Sequence, residues 1–178
     1  FLLMPIDEEV VLLPLGEEYP SLVREQLGGD DENLNCSASL SENGYTWLVV
    51  GKQLFIWKYD IDENESNPLH VLTLPQSGLP FTTSSICVYM LPGASLPGVI
   101  AVSPEGTIRH WESVICQPVD TSIELDREVV HSLQPFTKAV NGEGLFFLST
   151  TTFSFFFIQL YENSAPTPGK KQRRYKGL

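Results

Sequence analysis

The sequence predicts an all-β fold built from repeated hairpins. Three segments, residues 47–59, 98–111 and 144–157, each have an apolar strand, a turn, and a second strand rich in aromatic residues. They close at intervals of 54 and 46 residues, on Trp57, Trp111 and Phe157. Repeats of about 40–50 residues that each supply four short strands are typical of β-propeller blades. The sequence therefore predicts a WD40-like β-propeller, with three unrelated hairpins of a β-sandwich as the open alternative.

The three hairpins differ in their turns. The first breaks at the small polar stretch 51–53, after which Phe55, Trp57 and Tyr59 alternate and so share one face of the strand. The second turns at 103–106, where Pro and Gly stand as a β-turn requires. The third has a weaker turn around the threonines 150–152, inside a very apolar run that we interpret as a buried strand pair.

Further strands are predicted between and before the hairpins. Short apolar or alternating segments favour strands at 9–13, 35–40, 69–74 and 86–91, with moderate alternation at 125–133 and 138–140. Residues 19–27 fit either one helical turn or an extended segment. No stretch has a sustained period of 3.6 residues, which supports the all-β interpretation.

The chain length sets the expected domain organisation. A closed propeller needs at least about four blades, and at the observed spacing 178 residues hold about three. We therefore expect residues 1–161 to form the first blades of an N-terminal propeller that belongs to a larger domain. The last segment, 162–178, changes to Pro, Thr and basic residues and is expected to be a flexible inter-blade loop.

Charge and cysteine usage exclude several function classes. The formal net charge is −11, and five of the 11 basic residues lie in the last nine positions, where no acid occurs. The acidic remainder argues against direct nucleic-acid binding, because phosphate contacts need Lys and Arg. Three cysteines without paired spacing support neither a disulfide framework nor a zinc site, and they fit a reducing compartment. No cofactor and no small-molecule substrate are expected.

Catalytic motifs are not recognisable in the sequence. There is no glycine-rich phosphate loop and no nucleophile elbow, and the three histidines are isolated from one another. The tryptophans are interpreted as core residues, because no Lys or Arg is interleaved with them as in a nucleic-acid platform. We therefore predict that the protein is not an enzyme, with a propeller enzyme as the less favoured alternative.

Two hairpins resemble a known family. The segment 41–59 looks like the first-blade segment of the nucleoporin-133 N-terminal propeller, with Gly-aromatic-x-Trp, an apolar strand, Gly-basic-x, and a strand closing on Trp-Lys. Residues 99–111 are similar to its next recognisable blade, through a Glu-Gly-x-Ile-Arg-aromatic-Trp run. The stretch 19–25 fits the family's lead-in more loosely. The nucleoporin-155 propeller, an inner-ring scaffold, shares the first hairpin and is the nearest competitor.

The resemblance implies a seven-bladed propeller followed by a helical stack, in a scaffold subunit of the Y-shaped complex of the nuclear pore. Such a subunit supports mRNA export and protein import, has other Y-complex nucleoporins as partners, and is located at the nuclear envelope. The family is also linked to kinetochores. In vertebrate members a propeller loop resembles a helix that senses membrane curvature.

The basic cluster falls at about the position of that loop, but it lacks the Ser/Gly-and-Leu alternation of a curvature sensor. The cluster predicts a contact with a membrane or a partner through six residues: Lys170, Lys171, Arg173, Arg174, Tyr175 and Lys176. A nuclear-localisation signal or a solvated loop explains its positive charges equally well. Thr167, in a Thr-Pro-x-Lys context, is a candidate phosphosite whose phosphate would offset neighbouring positive charge.

Overall fold

The described part of the protein has a short helix followed by β-strands. The computed structural model describes residues 19–28, 35–59, 67–136 and 144–160. Within these ranges the elements are α1 (Ser21–Leu27), β1 (Cys36–Leu40), β2 (Tyr45–Val50), β3 (Gln53–Lys58), β4 (His70–Thr73), β5 (Ile86–Tyr89), β6 (Gly98–Val102), β7 (Thr107–Trp111), β8 (Val119–Ser122), β9 (Val130–Pro135), β10 (Leu145–Thr150) and β11 (Phe155–Gln159). A 3-10 helix (Thr83–Ser85) precedes β5.

The strands form three antiparallel sheets in chain order. Sheet 1 has the order β1-β2-β3-β4, sheet 2 the order β5-β6-β7-β8, and sheet 3 contains β9-β10-β11 in the described residues. Each predicted hairpin supplies two successive strands of one sheet: β2-β3, β6-β7 and β10-β11. The prediction of an all-β fold built from successive propeller-type blades is confirmed.

Several boundaries differ from the sequence prediction. Gln53 begins β3, so the first turn is shorter than the predicted break at 51–53. In the third hairpin the turn lies at 151–154 rather than around 150–152, so β11 begins at Phe155 and not directly after the threonines at Phe153. Strand β8 was not predicted, because all four of its residues are exposed and no buried alternation marks it. The predicted strand at 9–13 lies outside the described residues.

The segment that the sequence left undecided is helical. Seven residues are too few for a stable isolated helix, so α1 depends on tertiary packing. Val23 is fully buried against four side chains of sheet 1: Leu48, Val50, Phe55 and Trp57. These side chains form the face of sheet 1 that points away from sheet 2. Helix α1 therefore covers the outer face of the first sheet.

Sheets stack face to face through apolar side chains. Tyr45, Trp47 and Val49 of β2 pack with Val88, Val99 and Trp111 of sheet 2. A second cluster joins sheets 2 and 3, and it includes Ile100, Val102, Leu133, Phe146 and Leu148. Because sheet 2 is covered on both sides, all five residues of β6 are buried. The three tryptophans are 3–7% exposed, which confirms their interpretation as core residues.

The 3-10 helix contacts the first described strand of each sheet, β1, β5 and β9. The backbone N–H of Thr83 donates to Ser37 Oγ on β1 at 3.0 Å, and Ser84 Oγ donates to the carbonyl oxygen of His131 on β9 at 3.1 Å. These three strands therefore line the inner side of the stack, and β4 and β8 form its outer edge.

A tyrosine–glycine pair shapes the contact between sheets 2 and 3. Tyr89 on β5 lies opposite Gly98 on β6, and its ring passes so close that a Cβ at position 98 would meet the ring at 2.4 Å. The ring packs edge-on against Phe146, with centroids 5.1 Å apart, and Tyr89 Oη lies 2.7 Å from His110 Nε2. Burial lowers the pKa of His110 and raises the pKa of Tyr89, so both are neutral at pH 7.

We expect Gly98→Ala to lower the free energy of unfolding by about 1–3 kcal/mol, because the added methyl group displaces the Tyr89 ring from its place between His110 and Phe146. Urea unfolding followed by tryptophan fluorescence measures the change. Gly78→Ala is the matched control, since its Cβ would lie at an ordinary 3.5 Å from the nearest atom, Glu105 Oε1. Equal midpoints for the two variants would contradict this account of Gly98.

Candidate functional site

The residues predicted from the sequence as contact and modification sites lie outside the described part of the chain. They are Lys170, Lys171, Arg173, Arg174, Tyr175, Lys176 and Thr167. The segment that carries them follows β11, the third strand of sheet 3. The contact role, the phosphosite and the inter-blade loop therefore stay predictions, and the described surface offers two other candidate regions.

The first region is one edge of the three sheets, here called the turn edge. In an up-and-down sheet the turn between the second and third strands and the connection to the next sheet lie at the same end. The turn edge thus comprises the turns 51–52, 103–106 and 151–154 together with the connectors 74–82 and 123–129. Backbone hydrogen bonds join these segments, such as the 2.9 Å bond from the N–H of Leu74 to the carbonyl of Lys52.

A carboxylate fastens the first connector to the second turn. Glu105 Oε1 accepts hydrogen bonds from the backbone N–H groups of Gly78 at 2.8 Å and Leu79 at 3.2 Å. Its Oε2 accepts from Ser77 Oγ at 2.8 Å. Partial desolvation raises the pKa of Glu105, but the hydrogen bonds from Ser77 and Gly78 outweigh it and the pKa is lowered. The ionised carboxylate therefore fastens the connector that leaves sheet 1 to a turn of sheet 2.

A carboxylate also joins the second connector, 123–129, to the third turn. Here the acid is on the connector: Glu128 accepts hydrogen bonds from Thr150 Oγ1 at 2.6 Å and Ser154 Oγ at 2.8 Å, both at the third turn. The hydrogen bond from Thr150 lowers the pKa of Glu128, with smaller contributions from Thr152 and Ser154. The N–H of Thr151 also donates to the carbonyl of Val129 at 2.9 Å. The same junction thus recurs with donor and acceptor exchanged.

Arg109, on the third strand of sheet 2, contacts the outer strands of both sheet 1 and sheet 2. Arg109 on β7 binds both carboxylate oxygens of Asp120 on β8, with distances of 2.7 and 2.6 Å. Its third nitrogen donates to the carbonyl of Thr73 on β4 at 3.0 Å. The hydrogen bond from Arg109 lowers the pKa of Asp120. One guanidinium therefore orients β8 and touches the neighbouring sheet.

A shallow cleft of about 250 Å³ lies between the first turn and the first connector on the turn edge. It is lined by Asn35, Gly51, Lys52, Ser77, Gly78, Leu79, Pro80 and Phe81. Lys52 is the one ionisable side chain among these lining residues.

The second region is a cluster of four rings on the outer face of sheet 3, here called the phenylalanine face: Phe136, Phe147, Phe155 and Phe157. Phe147 stacks on Phe155 with centroids 5.1 Å apart and meets Phe157 at 5.5 Å. Phe155 and Phe157 are 51% and 59% exposed. The prediction of a buried strand pair is therefore correct for Phe146 and wrong for these two side chains in the described structure.

Ligand-binding features are limited in residues 19–28, 35–59, 67–136 and 144–160. No group of three or more His, Cys, Asp or Glu side chains in these ranges could hold a metal ion. None of the helices in the same ranges is long and apolar enough to cross a membrane. Burial lowers the pKa of His70, and His131 is exposed on β9.

We expect Glu105→Gln to destabilise the protein at pH 7 by about 1 kcal/mol, because the amide replaces one of the acceptor oxygens by a donor. The lowered pKa means that the carboxylate contributes stability above its ordinary value of 4.5 and loses it as the pH falls through the folded-state value. Chemical unfolding at pH 7 and pH 3 measures both effects. The difference between the variant and the wild type should be smaller at pH 3 than at pH 7, and an equal difference at both pH values would refute the role of the charge.

Comparison with known proteins identifies the family. A family model described as "Nup133 N terminal like" matches residues 14–176. The chain is 32% identical over 149 residues to Nuclear pore complex protein 15 of Caenorhabditis elegans, which covers 76% of this chain and 13% of that protein. It is 32% identical over 114 residues to Nup133 of Drosophila melanogaster, covering 54% of this chain and 10% of that protein.

A third relative, Nup133 of Danio rerio, is 29% identical over 168 residues, covering 89% of this chain and 14% of that protein. The chain therefore spans 10–14% of the length of these relatives. The family match includes every described strand, and it confirms the resemblance noted in the two tryptophan hairpins. The chain belongs to the Nup133 N-terminal-like family of nucleoporins.

Proposed function

We propose that this chain is the front part of the N-terminal propeller of a structural subunit of the nuclear pore complex, without enzymatic activity. The observation that carries the proposal is the family match over residues 14–176, which coincides with the stack of blade-type sheets. The relatives are named as nuclear pore proteins in three animals. The location that follows is the nuclear pore.

The finer proposal is a scaffold role in the Y-shaped outer-ring complex, with other scaffold nucleoporins as partners and with support of mRNA export and protein import. A scaffold subunit needs a surface that keeps its shape when its partners bind. The double carboxylate junctions at Glu105 and Glu128 and the apolar contacts between sheets supply such rigidity.

The phenylalanine face supports a larger propeller. Sheets 1 and 2 each have one face buried by the following sheet, and Phe147, Phe155 and Phe157 stand on the corresponding face of sheet 3. Exposed apolar rings in such number are unfavourable in water. We propose that the next sheet of a seven-bladed ring covers this face in the whole protein.

The whole protein, tagged with a fluorescent protein in cells of its own organism, is expected to form a punctate nuclear rim. It should also co-purify with scaffold nucleoporins in equal amounts. A diffuse signal would refute the pore location. Rim localisation together with co-purification of inner-ring rather than outer-ring subunits would instead support the nucleoporin-155 type of scaffold.

The basic segment supports a second contact, with the nuclear envelope. Each Lys or Arg near an anionic membrane contributes about 1 kcal/mol of binding free energy, and the segment has five: Lys170, Lys171, Arg173, Arg174 and Lys176. Tyr175 could insert its ring at the interface. We propose that this segment contacts anionic lipid and that phosphate on Thr167 weakens the contact.

Flotation of the protein with liposomes containing phosphatidylserine is expected to depend on these five charges. Replacing all five by Gln should abolish flotation, and Thr167→Glu should reduce it, because added negative charge opposes binding. Neutral phosphatidylcholine liposomes are the control. Flotation that is equal for the wild type and the five-Gln variant would end the proposed membrane contact.

A further inference from the structure

Helix α1 lies where the repeat of the fold would place another sheet. The leading face of a sheet is here the face on the side of the sheet before it. In sheet 2 this face includes Val99, Ala101 and Trp111, and it packs on sheet 1. In sheet 1 the corresponding second and third strands supply Val50 and Trp57 to the leading face, which lies under α1. The first sheet therefore has a helix on the face that the second sheet packs against its neighbour.

The helical segment runs along this face rather than across one end of it. Tyr19, just before α1, packs edge-on against Trp57, with ring centroids 6.2 Å apart. Trp57 pairs with Thr46, near the end of the strands away from the turn edge. Asn35 lies at the turn edge, where its carbonyl accepts a hydrogen bond from the N–H of Gly51 at 3.5 Å. The chain is thus at one end of the leading face at Tyr19 and at the other end at Asn35.

A helix and a sheet cannot both contact this face in the usual way. Stacked sheets lie about 10 Å apart, and a helix with its side chains is about 10 Å across. A sheet stacked on α1 would therefore lie about 20 Å from sheet 1, about twice the usual separation. The direct apolar packing that joins sheets 1 and 2 could not form there.

Helix α1 is held weakly. It has seven residues, its N-cap, Pro20, makes no side-chain hydrogen bond, and no acid lies in its first turn. Among these seven residues, all of which the structure describes, Val23 alone is buried. A sheet on the same face would bring apolar side chains from several strands, as sheet 1 brings them to sheet 2. Because the sheet removes more apolar surface from water, exchange of the helix for a sheet is favourable.

The order of synthesis gives a reason for such a helix. Chains fold from the N-terminus as they are made, and sheets 2 and 3 each find the preceding sheet already formed. In a closed ring the leading face of sheet 1 packs against the last sheet, which is made much later. An apolar face that waits uncovered is an aggregation hazard. Helix α1 precedes sheet 1 in the chain, so it is available to cover the face from the start.

We propose that α1 is a lid on the leading face of sheet 1, and that the last sheet of the completed propeller displaces it and occupies this face. The occupant is a later segment of the same protein, whose relatives extend far beyond the 10–14% of their length that this chain spans. The inference rests on the proposed function in one respect, the closed ring of sheets.

Cysteine labelling of the whole protein locates the helix. Val23→Cys and Leu48→Cys are made separately, the folded protein is treated with a maleimide, and mass spectrometry reads the modified positions. A site that opens only in a minor state of at most about 10% is labelled at least about tenfold more slowly than an open one. Position 23 should therefore react at least about tenfold faster than position 48, which the last sheet covers. Cys87, 5% exposed, is the native protected reference.

Two labelling results would overturn the lid. Protection of position 23 to the same degree as position 48 would show that α1 stays on the sheet in the completed protein. Rapid labelling of position 48 would show that no sheet covers the face.

A charge at position 23 separates a lid from a permanent part of the fold. Val23→Asp is expected to leave the melting temperature of the whole protein unchanged, because residue 23 faces water once α1 is displaced. It should lower the yield of soluble protein on refolding from urea, because a buried charge prevents α1 from covering the face of the incomplete ring. Gln26→Asp, at an exposed site of the same helix, is the control that should change neither quantity.

A fall in melting temperature for Val23→Asp but not for Gln26→Asp refutes the lid, since residue 23 is then buried in the finished fold. An unchanged refolding yield also refutes it. Labelling and melting are measured on purified protein, so they do not depend on the location of the protein in the cell. Absence from the nuclear rim refutes the proposed function and leaves these results standing, whereas rim localisation with position 23 protected refutes the lid alone.

Discussion

The structure depends on sheets that pack face to face, so that the middle sheet is apolar on both sides. Sheet 2 contributes Val99 and Ala101 to the contact with sheet 1, and Ile100 and Val102 to the contact with sheet 3. Removing apolar surface from water on both faces is the main stabilising contribution available to such short strands. Helix α1 provides the same cover for the outer face of sheet 1, through Val23. Every described sheet face except one is covered in this way.

Polar contacts set the relative position of the sheets, which apolar packing alone specifies poorly. The topology brings each connector against the next turn, and an ionised carboxylate joins the two segments in both cases. Glu105 stands on a turn and Glu128 on a connector. Both junctions therefore have a charged hydrogen-bond acceptor between connector and turn, although the turn supplies it in one and the connector in the other. Hydrogen bonds to a charged acceptor are stronger than those between neutral groups.

The elements that could be predicted from the sequence are those with local signals. Trp57 and Trp111 mark strand ends, and the turn at 103–106 carries its own Pro and Gly. Strand β8 has no such signal, because an outer strand with exposed residues lacks alternation. The junctions at Glu105 and Glu128 could not be predicted either. Their partners lie more than 20 residues away and meet only through the sheet topology.

The exposed phenylalanines of sheet 3 stand at positions that are covered in the sheets before it. Phe155 and Phe157 point from the face of a strand, so a further sheet would bury them as sheets 2 and 3 bury the faces before them. Phe153 occupies the turn position of Gly106, because both have positive φ and each donates its N–H to the carbonyl three residues before it. Gly106 is buried beneath Ile123 and Leu125, which follow the fourth strand of its own sheet. Sheet 3 has three strands in the described residues, so a fourth strand and its connector in the whole protein would cover Phe153 in the same way.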